Sequence, residues 1–337
     1  MPFDWIAQEE GSDNRNQVEF AACFIHPYDN FENVRVSTKP CAPKLLLSGL
    51  EIGAAQRNLF LSAEAFDKMD DDGVNALAAY LSIFDEVKVA LFYRRYFEWL
   101  PSLDNEVRKN RMLDADQQWE ASIVSFIEEG YANKEIDSKH TYSVFDKTEK
   151  HFDHIELVNM HNGKDNNEEL YCEVMPNADR TCEALRTAEF DSTDTNVHKV
   201  LIYEDLAYNA FKQGLIDIEN NQQLEAVSGA VQEYQEVTLG LTKYDFPLIC
   251  LSPEVKDWLL DVSLTIEETL LPEFFKTPQG EEALRASFVE HAKTDLCTLD
   301  VDAALSDDVW IDFFLNFDVL TSSDGHNHFS STGFENP

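Results

Sequence analysis

The sequence predicts an α/β fold, with a short parallel sheet flanked by helices and a mostly helical C-terminal half. Three observations support this class. Two apolar runs, Asn58–Leu61 and Val87–Phe92, enclose a segment of helical periodicity, which gives the order strand, helix, strand. The second run is almost unbroken, as is typical of a parallel strand covered on both faces. Beyond Val200 the apolar residues recur at helical spacing.

The remaining elements follow from the same periodicities. Val18–Ile25 and Ile155–Met160 are predicted strands, Cys41–Arg57 is a predicted helix, and the stretch from Tyr96 to Ile127 is mainly helical. The later predicted helices are Val200–Gln213, Glu219–Glu236, Pro253–Leu270 and Pro278–His291. The start of the third is marked by Ser252-Pro253-Glu254, an N-cap residue followed by a proline and an acid in the first turn.

This pattern predicts one α/β domain over residues 18–320, strand-rich in 18–161 and helical in 200–320. Residues 1–17 are expected to be loose, and the Ser- and Gly-rich stretch 321–337 a disordered tail. The start of the chain carries acids and no basic cluster, so it predicts no signal peptide, and no later run reaches the roughly 20 apolar residues of a spanning helix. We therefore expect a soluble chain with no membrane segment.

Acidic residues dominate the composition. The chain of 337 residues has 64 Asp and Glu against 26 Lys and Arg, for a formal charge of −38. Such a chain is not expected to bind nucleic acid or an anionic membrane by neutralising phosphates. With 44% hydrophobic and 12% aromatic residues it can nevertheless bury a core, so the sequence indicates a globular protein.

The six cysteines are sparse and contain no CxxC pair, which argues against a disulfide scaffold. We expect buried free thiols, with a bridge between Cys172 and Cys182 as the alternative. The histidines at 140, 151, 154 and 161 lack further ligands at matched spacing, so no metal site is expected.

The most informative segment joins the apolar strand to a helix through two arginines. Arg94 and Arg95 follow the strand directly, and Ser102 comes eight positions after Arg94. The carboxyl edge of a parallel sheet is where ligands bind in α/β folds. A guanidinium, a hydroxyl and a helix N-terminus together supply hydrogen-bond donors and positive potential. The arrangement therefore predicts a phosphate site.

Here the sequence resembles the sulfotransferase superfamily, whose 3′-phosphate motif is a strand ending in Arg with a Ser eight residues later. It is most similar to divergent sulfotransferase-like proteins of microalgae, in the phrases Leu61-Ser62-Ala63-Glu64-Ala65-Phe66 and Phe92-Tyr93-Arg94-Arg95-Tyr96-Phe97-Glu98-Trp99. The resemblance implies a P-loop-like α/β fold and transfer of a sulfuryl group from 3′-phosphoadenosine 5′-phosphosulfate to an acceptor hydroxyl, on a carbohydrate or a small molecule. Many of these relatives are anchored in Golgi membranes.

The resemblance also implies site residues. Arg94 and Ser102 would bind the 3′-phosphate of the donor, with Arg95 as the alternative to Arg94. Glu64, just past an apolar run, is the candidate base that removes the acceptor proton, and a helix-capping acid is its other interpretation. The negative charge of the chain favours a neutral glycan or small hydroxylated compound over a highly sulfated acceptor.

The sequence departs from the family pattern at the 5′-phosphosulfate loop. No Pro-Lys-x-Gly-Thr-Thr type sequence is present, and the strand end Phe24-Ile25-His26-Pro27 is followed by Tyr28-Asp29-Asn30 instead. Three explanations stay open: missing upstream residues, a degenerate pseudoenzyme, or a donor held by another loop such as Ser37-Thr38-Lys39. The alternative function is thus a non-catalytic binding module with the same fold.

Overall fold

The structure, a computed structural model, describes residues 4–5, 24, 59–61, 64–109, 122–138, 140–176, 178–187, 201–242 and 245–317. The chain divides into two compact units, whereas the sequence predicts one domain over 18–320. Unit 1 comprises Met1–Arg111, Trp119–Val197 and Cys250–Cys297, and unit 2 comprises Met112–Gln118, His198–Ile249 and Thr298–Pro337. All of the sequence-predicted site residues belong to unit 1.

Short strands and many helices make up the described chain, which is α/β in class. The strands are β1 (Asp4–Trp5), β2 (Leu59–Phe60), β3 (Val89–Tyr93), β4 (Ile155–Asn159), β5 (Leu248–Cys250) and β6 (Cys297–Leu299). The helices are α1 (Asp71–Leu81), α2 (Tyr96–Lys109), α3 (Ile123–Asn133), α4 (Thr141–Thr148), α5 (Asn166–Glu168), α6 (Asp179–Thr187), α7 (Leu201–Lys212), α8 (Asn221–Glu233), α9 (Pro253–Leu270), α10 (Pro272–Phe275), α11 (Ala283–His291), α12 (Val301–Ala304) and α13 (Asp308–Asn316).

The parallel sheet predicted from the apolar run is present between β3 and β4. Their register pairs Val89 with Ile155 and Tyr93 with Asn159, so both strands end at the same edge. A second parallel pair joins β1, which lies in the stretch 1–17 that is expected to be loose, to β2, which lies in the predicted strand run Asn58–Leu61. A third pair joins β5 to β6. Phe92 of β3 is 44% exposed, so the expectation of full cover on both faces is wrong at that residue.

Two helix starts illustrate how local sequence sets the elements. Asp70 caps α1 by accepting a hydrogen bond from the Gly73 amide at 2.7 Å, as expected of a solvated helix N-terminus. Ser252 caps α9, and Pro253 occupies its first position, where no amide is needed. The predicted start and end of this helix are both confirmed.

Unit 1 has its main core between β3, α2, α9 and α11. Tyr93, Phe97, Leu259 and Leu284 are fully buried there. Each such side chain contributes roughly 1.5–3 kcal/mol through removal of apolar surface from water. The end of β3 and the start of α2 are therefore fixed in position.

An aromatic core organises unit 2. Trp310 of α13 stacks on Phe246 with ring centroids 5.3 Å apart, and Tyr234 lies 4.8 Å from Phe313. These pairs are consistent with offset and tilted aromatic packing, which adds to the burial of area.

The structure corrects the expectation of free thiols. Disulfide bonds join Cys172 to Cys182 and Cys250 to Cys297. The first is the alternative considered from sequence, and the second was not anticipated because its cysteines lie 47 positions apart.

Several sequence predictions fall outside the described residues. They are the helix Cys41–Arg57, the tail 321–337, and all of the strand Val18–Ile25 except Phe24, whose backbone lies in a turn. Among the helices of the described chain, none combines the length and the apolar character needed to cross a membrane.

Candidate functional site

The candidate site lies at the carboxyl edge of the β3–β4 sheet. β3 ends at Tyr93 and α2 begins at Tyr96, so Arg94 and Arg95 form the turn between them. His161 follows the end of β4 by two positions, and its Nε2 accepts a hydrogen bond from the Arg95 amide at 3.1 Å. The parallel pairing thus brings both strand ends and the start of α2 together.

Arg95 points into the interior. Its Nε lies 3.0 Å from a carboxylate oxygen of Glu267, and its Nη2 donates to the other oxygen at 3.3 Å and to the Gln279 carbonyl at 2.8 Å. Arg95 is 4% exposed, and Glu267 is fully buried. The guanidinium therefore already has buried hydrogen-bond partners within the protein, which disfavours the alternative in which Arg95 binds a phosphate.

Tyr93 completes this buried network. Its hydroxyl donates to the Glu267 carboxylate at 3.0 Å. Burial raises the pKa of Tyr93 far above its usual value, and the neighbouring Glu267 charge raises it further. The phenol is thus a permanent donor, and it helps to satisfy a carboxylate that would be costly to bury alone.

Arg94 has a different environment. It is half-buried, and its guanidinium makes no hydrogen bond or ion pair with the residues that the structure describes. Its backbone carbonyl is held by Nε2 of His140 at 3.0 Å. Arg94 is therefore fixed at the backbone and free to bind through its side chain, as far as the described chain shows.

His140 acts as a neutral support for this turn. Its Nδ1 accepts a hydrogen bond from the Tyr142 amide at 3.3 Å, so Nε2 carries the proton that is donated to the Arg94 carbonyl. Burial lowers the pKa of His140 to about 4, although the hydrogen bond to Arg94 opposes this shift. Both ring nitrogens of His140 are thus engaged by the backbone that it supports.

A polar group that we call the Glu98 cluster lies beside the arginine turn. It consists of Glu98, His161, Ser287, His291 and Asp295. Glu98 accepts a hydrogen bond from the Ser287 hydroxyl at 2.8 Å, and its two oxygens lie 3.8 Å from His161 Nε2 and 4.0 Å from His291 Nε2. Asp295 is 2.7 Å from the other ring nitrogen of His291.

The two imidazoles of the cluster differ in charge. Burial lowers the pKa of His161 to about 4; the Glu98 charge opposes this, and the charges of Arg95 and Arg94 reinforce it. The Asp295 carboxylate raises the pKa of His291, against an opposing effect of burial. Near neutral pH the cluster therefore pairs a neutral His161 with an imidazole that takes up a proton more readily.

Ser102 lies well inside α2, beyond its first turn. It is the seventh residue of α2 and lies about 9 Å along the axis from Tyr96. Its hydroxyl forms no hydrogen bond with Arg94 or with another described residue. It does lie one turn after Glu98, so both side chains emerge from the same face of α2.

The structure leaves the candidate base undetermined. Glu64 is the first residue of a 3₁₀ turn, Glu64–Lys68, and its side chain is outside the described part. Phe24-Ile25-His26-Pro27 (apart from Phe24) and Ser37-Thr38-Lys39 also lie outside it. The role of Glu64 stays a prediction.

Sequence reasoning missed the Glu98 cluster and Glu267. Their members come from α2, α9, α11 and the segments after β4 and α11. Only two local signals exist, the acid in the first turn of α2 and the i, i+4 spacing of His291 and Asp295. In the described residues, no group of three His, Cys, Asp or Glu side chains is placed to hold a metal ion.

Comparison of the chain with protein-family models, with curated proteins and with solved structures finds no match.

Proposed function

We propose that this chain is a sulfotransferase-like protein with a P-loop-like fold. It would bind 3′-phosphoadenosine 5′-phosphosulfate and transfer the sulfuryl group to an acceptor hydroxyl, on a neutral glycan or a small molecule. The observation that carries the proposal is Arg94, a half-buried arginine with no ion-pair partner among the described residues, at the carboxyl edge of a parallel sheet. Ligands bind at this edge in α/β folds.

The arginine turn supports a phosphate-binding role because it is already fixed in place. Arg95 forms an ion pair with Glu267, and His140 donates a hydrogen bond to the Arg94 carbonyl. A guanidinium on such a turn loses little backbone freedom when it binds an anion. Helix α2, which begins two residues later, adds amide donors and positive potential.

Glu98 introduces a negative charge close to this position. Its side chain is 12% exposed, and its carboxylate lies near two imidazoles and the Ser287 hydroxyl. Protonation of His291 would compensate the charge of Glu98, so we expect phosphate binding to strengthen as the pH falls to the range in which His291 is cationic. Ser102, on the same face of α2, would contact a ligand only if that ligand extended past Glu98.

The disulfides support folding in an oxidising compartment. Four described cysteines form two bridges, and such bonds persist mainly in secreted and secretory-pathway proteins. This agrees with the compartment of the Golgi relatives that the sequence resembles.

One sequence observation favours the second candidate function, a non-catalytic binding module. The chain has no Pro-Lys-x-Gly-Thr-Thr type loop to stabilise charge on the leaving oxygen. Donors of this kind are worth a factor of roughly 10²–10³ in rate each. Without them the same pocket would bind the nucleotide and transfer the sulfuryl group slowly or not at all.

Calorimetric titration with 3′-phosphoadenosine 5′-phosphate tests the shared binding step. We expect micromolar binding by the wild type, a loss of about 10- to 100-fold in Arg94→Ala, and no change in Arg180→Ala. Arg180 is a matched control because it is exposed on α6 and has no ion pair among the described residues. Absence of binding by the wild type contradicts both candidate functions.

A transfer assay then separates the two candidates. Labelled 3′-phosphoadenosine 5′-phosphosulfate is incubated with neutral glycans and small alcohols, and product is measured for the wild type and Arg94→Ala. Sulfation that depends on Arg94 supports the enzyme. Nucleotide binding without sulfation supports the binding module.

A further inference from the structure

Unit 1 contains a cleft that includes neither Arg94 nor any member of the Glu98 cluster. It lies between α2, α3, α9 and the segment after α3, and its volume is about 510 Å³. Ligand pockets for small molecules are typically of this size. The described residues that line it are Tyr96, Leu100, Phe126, Ile127, Glu129, Gly130, Asn133, Glu135, Ile136, Asp137, Ser138 and Trp258.

Aromatic and aliphatic side chains form the walls. Trp258 and Phe126 are partly exposed, whereas Leu100 and Ile127 are buried beneath them. Gly130 lies opposite Trp258 and has no side chain. A Cβ at this position would lie 3.6 Å from the indole ring. The missing side chain at 130 therefore keeps this end of the cleft open.

The polar groups at the cleft are acidic or neutral. Three acidic residues, Glu129, Glu135 and Asp137, line it, and no Lys, Arg or His is present among the described lining residues. Glu129 and Glu135 are exposed. These three acids outnumber the cation at the edge of the cleft, Lys134, so in a chain of net charge −38 the cleft favours cations over anions and is a different kind of site from the arginine turn.

The chain already places an ammonium group at the edge of this cleft. Lys134 Nζ lies 3.3 Å from the centroid of the Tyr131 ring and 5.9 Å from that of Trp258. The two rings meet edge to face, with centroids 5.7 Å apart. Lys134 reaches this position from the left-handed cap of α3, with φ 57°, between two lining residues.

We propose that the cleft binds an organic cation, with an ammonium head against the Trp258 face and the Glu129 and Glu135 carboxylates. Aromatic faces attract ammonium groups through the ring quadrupole, most strongly for tryptophan. The carboxylates add charge complementarity, and the aliphatic floor accommodates methyl or methylene groups. A neutral ligand that only stacks on the rings would not use the acids.

The test compares choline with its neutral isostere, 3,3-dimethylbutan-1-ol. Both are titrated into the full chain labelled with ¹⁵N, and the indole resonance of Trp258 is followed after assignment through Trp258→Phe. We expect choline to shift this resonance in a saturable way and the isostere to bind at least tenfold more weakly. Equal affinity for the two, or no shift with choline, overturns the proposal.

Matched variants locate the site. Gly130→Leu fills the cleft without changing the charge and should abolish the choline response, while Gly229→Leu, on an exposed helix position with nothing near a Cβ, should leave it intact. Glu129→Gln should weaken binding at least threefold, and its exposed neighbour variant Glu128→Gln should not. A response that survives Gly130→Leu places the choline elsewhere and contradicts the proposal.

Discussion

The guanidinium of Arg95 and the carboxylate of Glu267 form a buried ion pair at 3.0 Å, although 172 positions separate them in the chain. The pair connects the turn after β3 to helix α9. Arg94 next to it has no such partner among the described residues. Two adjacent arginines therefore have distinct expected roles, one in stability and one in binding.

Replacement of Arg95 should destabilise the fold. Arg95→Met leaves the Glu267 charge without its main partner in the interior, and we expect a loss of about 3–5 kcal/mol in the free energy of unfolding. Arg285→Met, which breaks an exposed pair with Glu281, should cost less than about 1 kcal/mol. Urea unfolding followed by circular dichroism measures both, and a loss in Arg95→Met no larger than in Arg285→Met contradicts the structural role.

The contrast between Arg94 and Arg95 shows which parts of the site can be predicted from local sequence. The strand, the arginine turn and the helix α2 follow from an apolar run and its polar continuation, and the bounds of α9 follow from its cap and its periodicity. The partner of Arg95 does not follow from local sequence. Glu267 is buried on α9, but nothing in the residues around it distinguishes it from the other acidic residues of the chain. Which arginine faces inward is decided by tertiary contacts.

The short strands and the disulfides also could not be predicted from local sequence. β5 and β6 have three residues each, too few to reveal a period of two. The pairing of Cys250 with Cys297 depends on the chain bringing distant segments together. The two-unit division is likewise a property of contacts, since no linker composition marks it.

The stability of the protein should fall between about pH 6.5 and pH 4. His140 and His161 both have a pKa lowered to about 4 in the fold, against about 6.5 when unfolded. In this range the unfolded chain binds more protons than the folded one, so acid favours unfolding. The contribution of these two histidines to the free energy of unfolding is complete above pH 6.5 and is lost as the pH falls to 4.

The variant His140→Asn isolates the share of one histidine. At roughly 1.4 kcal/mol per pKa unit, His140 accounts for up to about 3 kcal/mol of the decline. The free energy of unfolding of the variant, measured by urea at pH 7, 6, 5 and 4.5, should therefore fall less steeply than that of the wild type. Parallel pH profiles would show that His140 does not titrate in this way.

Gly280 should not tolerate a side chain. It is buried at a kink with ψ −112°, and a Cβ there would overlap the carbonyl oxygens of Phe274 and Phe275. We expect Gly280→Ala to cost about 1–3 kcal/mol, because the backbone that meets Arg95 must shift. Gly229→Ala, in an open helical position, should gain about 0.5–1 kcal/mol. Thermal unfolding of both variants checks the difference in sign.

The two disulfides should differ in their contribution to stability. Cys250 and Cys297 are 47 positions apart, whereas Cys172 and Cys182 are 10 apart. The longer loop restricts the unfolded chain more, so replacing both cysteines by serine should cost roughly 4 kcal/mol for the first pair and roughly 3 kcal/mol for the second. Peptide mapping without reduction verifies each bond, and urea unfolding of the two double variants gives the order. A larger loss for the Cys172–Cys182 pair would mean that folded-state contacts, and not loop closure, determine the effect.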